Sequence, residues 1–278
     1  MRHFGLLFFL LISLSSVTTN AQYFKWHDSK SSRFLRLDFE TQEIYQCTDG
    51  MNWQFVSKAK FNNVVPADFL STDRGVNEYP IPNTSEFYLT IHCTGQVYRI
   101  NKATWEITRI DHTFFRGANC QSFQFTRKGK LYSFGGYGFW QSTNIITEYN
   151  AVSRDWTHIL VKGALPVAIH KKSATYLPDV DKMIVLGSKR INQTESAEML
   201  DIDYGIYEYN FSEKLFNRLG EVHEPLLRTI MGEEKNNFAL AMGQYIVISP
   251  YNTVPGYNHD LLYIIDTKDS YKGYLWTN

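Results

Sequence analysis

Short apolar runs separated by clusters of Gly, Asn, Ser and Asp recur along the chain. The clearest stretch is Leu131–Ile159, LYSFGGYGFWQSTNIITEYNAVSRDWTHI. Leu131–Phe134 is an apolar-aromatic run that ends at Gly135-Gly136. Ile145–Tyr149 alternates apolar and polar positions, and Trp156–Leu160 follows a turn rich in Asn, Ser and Asp, Asn150–Asp155. Runs of this length with these boundaries predict three strands, because alternation at period two gives a strand one buried face and the turn residues break it. No stretch of the chain shows a long helical period.

The closing part of this pattern returns. Tyr98 precedes Trp105 by seven residues, Tyr149 precedes Trp156 by seven, and Tyr209 precedes Phe216 by seven. Tyr45 precedes Trp53 with one extra residue, and Ile264 precedes Tyr271. The anchors Trp53, Trp105, Trp156, Phe216 and Tyr271 are therefore 52, 51, 60 and 55 residues apart. Upstream of each anchor lies a run that matches Leu131–Phe134: Arg33–Phe39, Phe87–Ile91, Met183–Leu186 and Tyr245–Ile248. A further strand is expected before each of these, at Tyr23–His27, Val64–Leu70, Ala118–Phe125, Ser173–Leu177 and Phe238–Met242. The expectation is five four-stranded units between Tyr23 and Asn278, with Pro80, Pro82, Pro178, Pro250 and Pro255 falling between strands, where Pro is tolerated.

A strand that ends in Gly-Gly, a Tyr that closes the next strand and a Trp seven residues later resemble a kelch repeat, and a period of about 50 residues is that of kelch blades. The resemblance implies an all-β fold: a β-propeller of about five four-stranded kelch-like blades, in which small twisted sheets bury their faces against one another around a channel. The hallmarks are degenerate. Only the third repeat has the Gly pair; the fourth has Gly187-Ser188, the second Ile91-His92 and the fifth Ser249-Pro250. Five blades make either a small ring or the front part of a longer chain.

Composition adds to this picture. With 18 Tyr, 19 Phe and 6 Trp the chain is rich in the residues that strands favour. Twenty-eight basic residues balance twenty-eight acidic ones, which gives no broad basic field for nucleic acid or anionic lipid. The start is a targeting segment. Arg2 and His3 precede an apolar run, Phe4–Leu14, too short to span a bilayer, and Thr19-Asn20-Ala21 supplies compact residues before Gln22. This predicts a signal peptide over residues 1–21, cleaved after Ala21, a domain over 22–278, and a secreted or periplasmic protein. No later stretch reads as a membrane span. No Cys stands at the cleavage site, which argues against a lipid anchor. Three Cys remain, Cys47, Cys93 and Cys120, an odd number that leaves at least one unpaired within the chain. Buried thiols and a single disulfide both fit an oxidising compartment.

The kelch resemblance places binding groups at one channel mouth, on the loops that enter the innermost strand or leave the second one. Kelch domains often carry an Arg before the innermost strand; here the matching places hold Arg116, His170 with Lys171, and Arg228. Together they imply a cationic rim suited to a carboxylate, a sulfate, an acidic sugar or an acidic peptide loop. Pairing with Asp or Glu of adjacent blades is the other use for them. Tyr137, Phe139 and Trp140 follow the Gly pair, where they can stack on a sugar, anchor a protein partner or pack on a neighbouring blade. Tyr257 and His259 occupy the same topological place in the fifth repeat, and the fourth offers Lys189 and Arg190. These loops are the longest within the repeats.

Catalytic signals are weaker. The resemblance extends to copper enzymes similar to galactose oxidase, yet none of the eight His matches their ligand motif. Asp201-Ile202-Asp203-Tyr204-Gly205 begins like a calcium loop and lacks its later acidic ligands. No nucleophile elbow, zinc-protease or phosphate-loop motif is present. The expectation is a binding or sensor module for a glycan or protein, without cofactor or metal. The alternative is a sugar-active enzyme on the same scaffold, an oxidase or a sugar-acid epimerase.

Overall fold

A computed structural model describes residues 23–28, 33–38, 40–49, 51–62, 76–81, 84–91, 93–113, 120–138, 141–168, 173–193, 198–222, 237–242, 245–250, 261–269 and 272–277. Every regular element among them is a strand. Among the described residues no helix is long and apolar enough to cross a membrane. The chain divides into two compact units, residues 1–75 with 101–108, and residues 76–100 with 109–278.

In the first unit β1 (Tyr23–Asp28), β2 (Arg33–Asp38), β3 (Glu43–Cys47) and β4 (Gln54–Lys58) form an antiparallel sheet in chain order. Leu35, Leu37, Ile44 and Cys47 are buried. The Arg36 guanidinium lies 4.5 Å from the Tyr45 ring centre and 5.0 Å from that of Trp53, a cation–π arrangement that covers both rings without desolvating the charge fully. The short β5 (Lys60–Asn62) pairs in parallel with β9 (Glu106–Arg109) over Lys60–Asn62 and Glu106–Thr108.

In the second unit β7 (Glu86–Ile91) lies between β6 (Val76–Pro80) and β8 (Val97–Asn101). The partner of β7 is thus Val76–Pro80 and not the expected Val64–Leu70, and residues 64–70 lie outside the described residues. The third and fourth expected groups share one nine-stranded sheet. It contains β10 (Phe123–Arg127), β11 (Lys130–Gly138), β12 (Gln141–Asn150), β13 (Asp155–Ile159) and β14 (Lys162–Gly163), then β15 (Ala174–Leu177), β16 (Lys182–Gln193), β17 (Glu198–Asn210) and β18 (Leu215–Glu221). The last four strands, β19 (Asn237–Met242), β20 (Tyr245–Pro250), β21 (Leu261–Asp266) and β22 (Lys272–Thr277), form an antiparallel sheet in chain order. Pro80 and Pro250 close β6 and β20 instead of lying between strands.

The Gly pair has a role different from the one expected. β11 does not end there but runs on to Gly138, with a register shift between Phe134 and Gly136. Gly135 and Gly136 have φ of 62° and 104°, the left-handed region that costs Gly little and other residues much. Gly187, at φ 66°, makes the same shift in β16 between Leu186 and Ser188. Each bulge bends the strand and lets pairing continue. The expected loops therefore become ribbons: Tyr137 pairs with Ser142, Lys189 with Ile202 and Arg190 with Asp201, and the two ribbons meet where Gln141 pairs with Asn192. Asp201–Gly205 is part of β17, not a cation-binding loop. Asp203 accepts hydrogen bonds from the Gly205 N–H and the Tyr207 hydroxyl.

An Asx turn closes each repeat. Asp49, Asn101, Asn150 and Asn210 each accept, at Oδ1, the backbone N–H groups two and three residues on, and Asp266 accepts that of Lys268. A short side-chain acceptor next to the chain mimics a backbone turn, which is why Asn and Asp hold this place. The fourth residue after Asn101, Asn150 and Asn210 is left-handed: Trp105 at φ 56°, Arg154 at 55° and Lys214 at 54°. Each offers its carbonyl to an N–H of an earlier segment: Lys60 to Trp105 at 2.8 Å, His112 to Arg154 at 2.8 Å and Lys162 to Lys214 at 2.9 Å.

This geometry corrects the register of the aromatic anchors. Trp156 and Phe216 lie six residues after their Asx residue, whereas Trp53 and Trp105 lie four after theirs. The position that matches Trp156 and Phe216 is Ile107, which is fully buried. Side chains alternate with period two, so a slip of two residues leaves the same face inward and escapes a pattern of apolar positions. Tyr271 lies outside the described residues.

Two aromatic seams run through the described residues of the second unit. Val97, Leu131, Tyr149 and Trp156 form one, flanked by Tyr79, Tyr88 and Ile110. The Trp156 indole N–H donates to the Gly95 carbonyl at 2.7 Å, and the Tyr88 hydroxyl to that of Gly129 at 3.0 Å. Phe125, Phe134, Met183, Val185, Tyr209 and Phe216 are central to the other. Burial of such side chains stabilises by roughly 1.5–3 kcal/mol each. Asp111, buried, caps the first seam: it accepts the N–H groups of Val97 and Thr113 and pairs with Arg109.

Candidate functional site

Antiparallel order puts the β10–β11 and β12–β13 turns at one end of their group and the β11–β12 ribbon, with the start of β10, at the other. The second end is the one the sequence nominates. It is tied together covalently. Cys93, in the segment after β7, forms a disulfide with Cys120, just before β10, with 4.1 Å between their Cα atoms. Cys120 is bound in turn to the ribbon: its N–H donates to the Tyr137 carbonyl at 3.1 Å and its carbonyl accepts the Tyr137 N–H at 2.7 Å. One strand exit, one strand start and one ribbon are thus locked into a single platform, with Tyr137 half-buried on it. Cys47 is the free thiol and is buried.

Of the residues expected here, Tyr137 is placed on the platform. Arg116, Phe139, Trp140, His170, Lys171, Arg228, Tyr257 and His259 lie outside the described residues. Among the described residues no group of three or more His, Cys, Asp and Glu is arranged to hold a metal ion.

The opposite end carries a feature that the sequence reading missed. A cleft of about 510 Å³ opens there between β10–β13 and β17–β18. Tyr132, Glu148 and Ile159 line one side, Tyr209, Phe211 and Lys214 the other. Its charged groups are ordered by partners. Arg127 donates to the Asp181 carboxylate, at 2.7 Å from one terminal nitrogen, and its guanidinium stacks 4.4 Å from the Phe211 ring centre. The Arg127 hydrogen bonds hold Asp181 well below the usual carboxylate range, against a smaller opposing effect of burial. Burial raises Glu148, but hydrogen bonds from Lys130 at 2.7 Å and from Tyr132 outweigh it and leave the carboxyl lowered. Burial pushes the hydroxyls of Tyr132, Tyr176 and Tyr209 up to about 12. The signal in the sequence is the alternation of aromatic and charged residues in FTRKGKLY and YEYNFSEKL.

Two solved structures can be laid over the chain. That of YjhT matches with a TM-score of 0.52 and 14% identity over 72% of this chain and 64% of the other. The nidogen/laminin complex contains a chain that matches with a TM-score of 0.50 and 8% identity over 91% of this chain and 79% of the other. Both are β-propeller-type folds. The fold is propeller-like. At these identities the likeness concerns the fold alone, and the chain spans less than two thirds of the YjhT chain. No protein-family model matches the sequence, and no curated protein matches it.

Proposed function

We propose that the chain is exported with a signal peptide cleaved after Ala21 and acts as a kelch-like β-propeller of about five blades that binds a glycan or a protein partner at the end built around Tyr137. The observation that carries this reading is the Cys93–Cys120 disulfide joined to Tyr137 through Cys120. Disulfides persist in oxidising compartments, and a rigid platform lowers the entropy cost of holding recognition loops in place. Tyr137, Phe139 and Trp140 supply aromatic faces, and Arg116, His170, Lys171 and Arg228 supply a cationic rim, with Tyr257 and His259 from the last repeat. A propeller-type chain in the nidogen/laminin complex gives a precedent for this fold within a protein complex.

The test is a glycan array together with capture of extracellular proteins on the immobilised chain. Arg116→Ala, Arg228→Ala and Tyr137→Ala should each lower the response to the ligand found by tenfold or so, as removal of a central anchor does. Variants that bind as well as the parent would overturn the site. Stoichiometric copper and sugar oxidation in the purified protein would overturn the non-enzymatic reading.

A further inference from the structure

We propose that the open edge of β4 binds an extended peptide segment of a partner protein, added in parallel as one more strand of the first sheet. The inference does not rest on the function proposed above, since it concerns the outer edge of a different repeat.

The molecule contains the template for this contact. In the second repeat β5 lies along the outer strand β9, with Lys60 opposite Glu106 and Phe61 opposite Ile107. In the fourth β14 lies along the outer strand β18, with Lys162 opposite Leu215 and Gly163 opposite Phe216. Both contacts begin with the same bond. The Lys60 N–H donates to the Trp105 carbonyl at 2.8 Å, and the Lys162 N–H to that of Lys214 at 2.9 Å. The third repeat keeps the equivalent bond, from the His112 N–H to the Arg154 carbonyl. Each acceptor is the residue just before the outer strand. Trp53 holds that place before β4, and among the described residues no backbone N–H outside the strand ladders donates to its carbonyl. β4 ends its sheet.

The side chains agree with the main chain. Tyr149 pairs with Trp156 and Tyr209 with Phe216 across their hairpins, and Trp156 is 8% and Phe216 1% exposed. Tyr45 pairs with Phe55 in the first repeat, yet Phe55 is 56% exposed. Its ring stands edge-on to Tyr45 with 6.1 Å between centres, and the Arg36 guanidinium lies over Tyr45. Phe55 is thus an oriented apolar knob beside main-chain groups at a sheet edge. Strand addition uses these two elements, the main chain for affinity and alternate side chains for specificity. A register shift follows Phe55 in β4, as one follows Arg218 in β18, so the contact is short, like β5 and β14.

The template also selects the occupant. Its first residue donates an N–H to the Trp53 carbonyl and is polar, since Lys holds that place in both internal copies. Its second residue lies opposite Phe55 and is apolar, as Phe61 is opposite Ile107.

The experiment uses a capped pentapeptide, Ala-Lys-Phe-Asn-Asn, which repeats residues 59–63, and follows its binding to the mature chain by NMR and calorimetry. The peptide should bind with a Kd on the order of 1 mM, as suits so small a ligand. Methylation of its Lys backbone nitrogen, which removes the first donor, should weaken binding by tenfold or so. Phe55→Ser should do the same, as loss of a central anchor does. Phe55→Leu keeps an apolar knob and should bind within about threefold of the parent, which separates loss of the contact from loss of the fold. Val152→Ser, at an exposed position of the β12–β13 turn, should bind as the parent does. No saturable binding up to about ten times the expected Kd, or binding that survives the methylated peptide or Phe55→Ser, would overturn the proposal. A concentration-dependent dimer that Phe55→Ser abolishes would assign the edge to a second copy of the chain and overturn it equally.

Discussion

Removal of the Cys93–Cys120 disulfide should cost the protein several kilocalories of stability without altering its strands. The bridge closes a loop of 27 residues. In the chain-entropy description that closure takes about 12 cal/mol/K from the unfolded ensemble, or about 3.5 kcal/mol at 25 °C. For a chain of this size the loss corresponds to a fall in Tm of about 10 °C. The double variant Cys93→Ser/Cys120→Ser is the perturbation, and thermal unfolding followed by circular dichroism is the assay. Thiol titration supplies an independent check. The oxidised protein should show no reactive thiol while folded, because Cys47 is buried, one after unfolding and three after reduction. Three thiols in the unfolded, unreduced protein would refute the pairing. An unchanged Tm in the double variant would refute the idea that the bridge restrains this end of the chain.

The seams and turns give further tests. Trp156→Phe keeps the ring contacts with Val97, Leu131 and Tyr149 but deletes the donor to Gly95, so denaturant unfolding should show a loss of about 1–3 kcal/mol; a loss near zero would mean that water satisfies the carbonyl. Gly163→Ala should cost at least about 1 kcal/mol, because Gly163 has φ 87° and an added Cβ would lie 2.2 Å from the Phe216 carbonyl oxygen; a neutral result would show that the parallel β14–β18 pair is dispensable. Asp181→Asn tests the lowered carboxyl. A depressed folded value stabilises above the unfolded value near 3.9 and is lost as pH falls below it. The parent should therefore exceed the variant by up to about 1 kcal/mol at pH 7, a gap that starts to narrow below about pH 4 and is lost only as pH falls through the depressed folded value, and a gap that does not narrow at all below about pH 4 would assign the effect to shape instead of charge.

How legible the molecule was depends on the kind of signal. The strands around Leu131, Met183 and Tyr245 were readable because apolar alternation and turn residues are local properties. The Asx turns at Asn101, Asn150 and Asn210 were equally local, and they fix the repeat more firmly than the aromatic anchors do. Trp105 misled because a two-residue slip in a strand keeps its face. The Gly pair was read as an end when it is a bulge, since φ > 0 serves both and only the partner strand decides between them.

By itself the sequence determined an all-β chain of short, repeated, aromatic-rich strands, because period, turn chemistry and the lack of a helical pattern are written residue by residue. Only the tertiary structure decided which Cys pair, which strand lies beside β7, that two ribbons join the third and fourth groups, and that a cleft lined by Tyr209, Phe211 and Lys214 opens opposite the expected end. Those features come from residues far apart in the chain, and the partner of a side chain across a seam is set by how whole sheets meet.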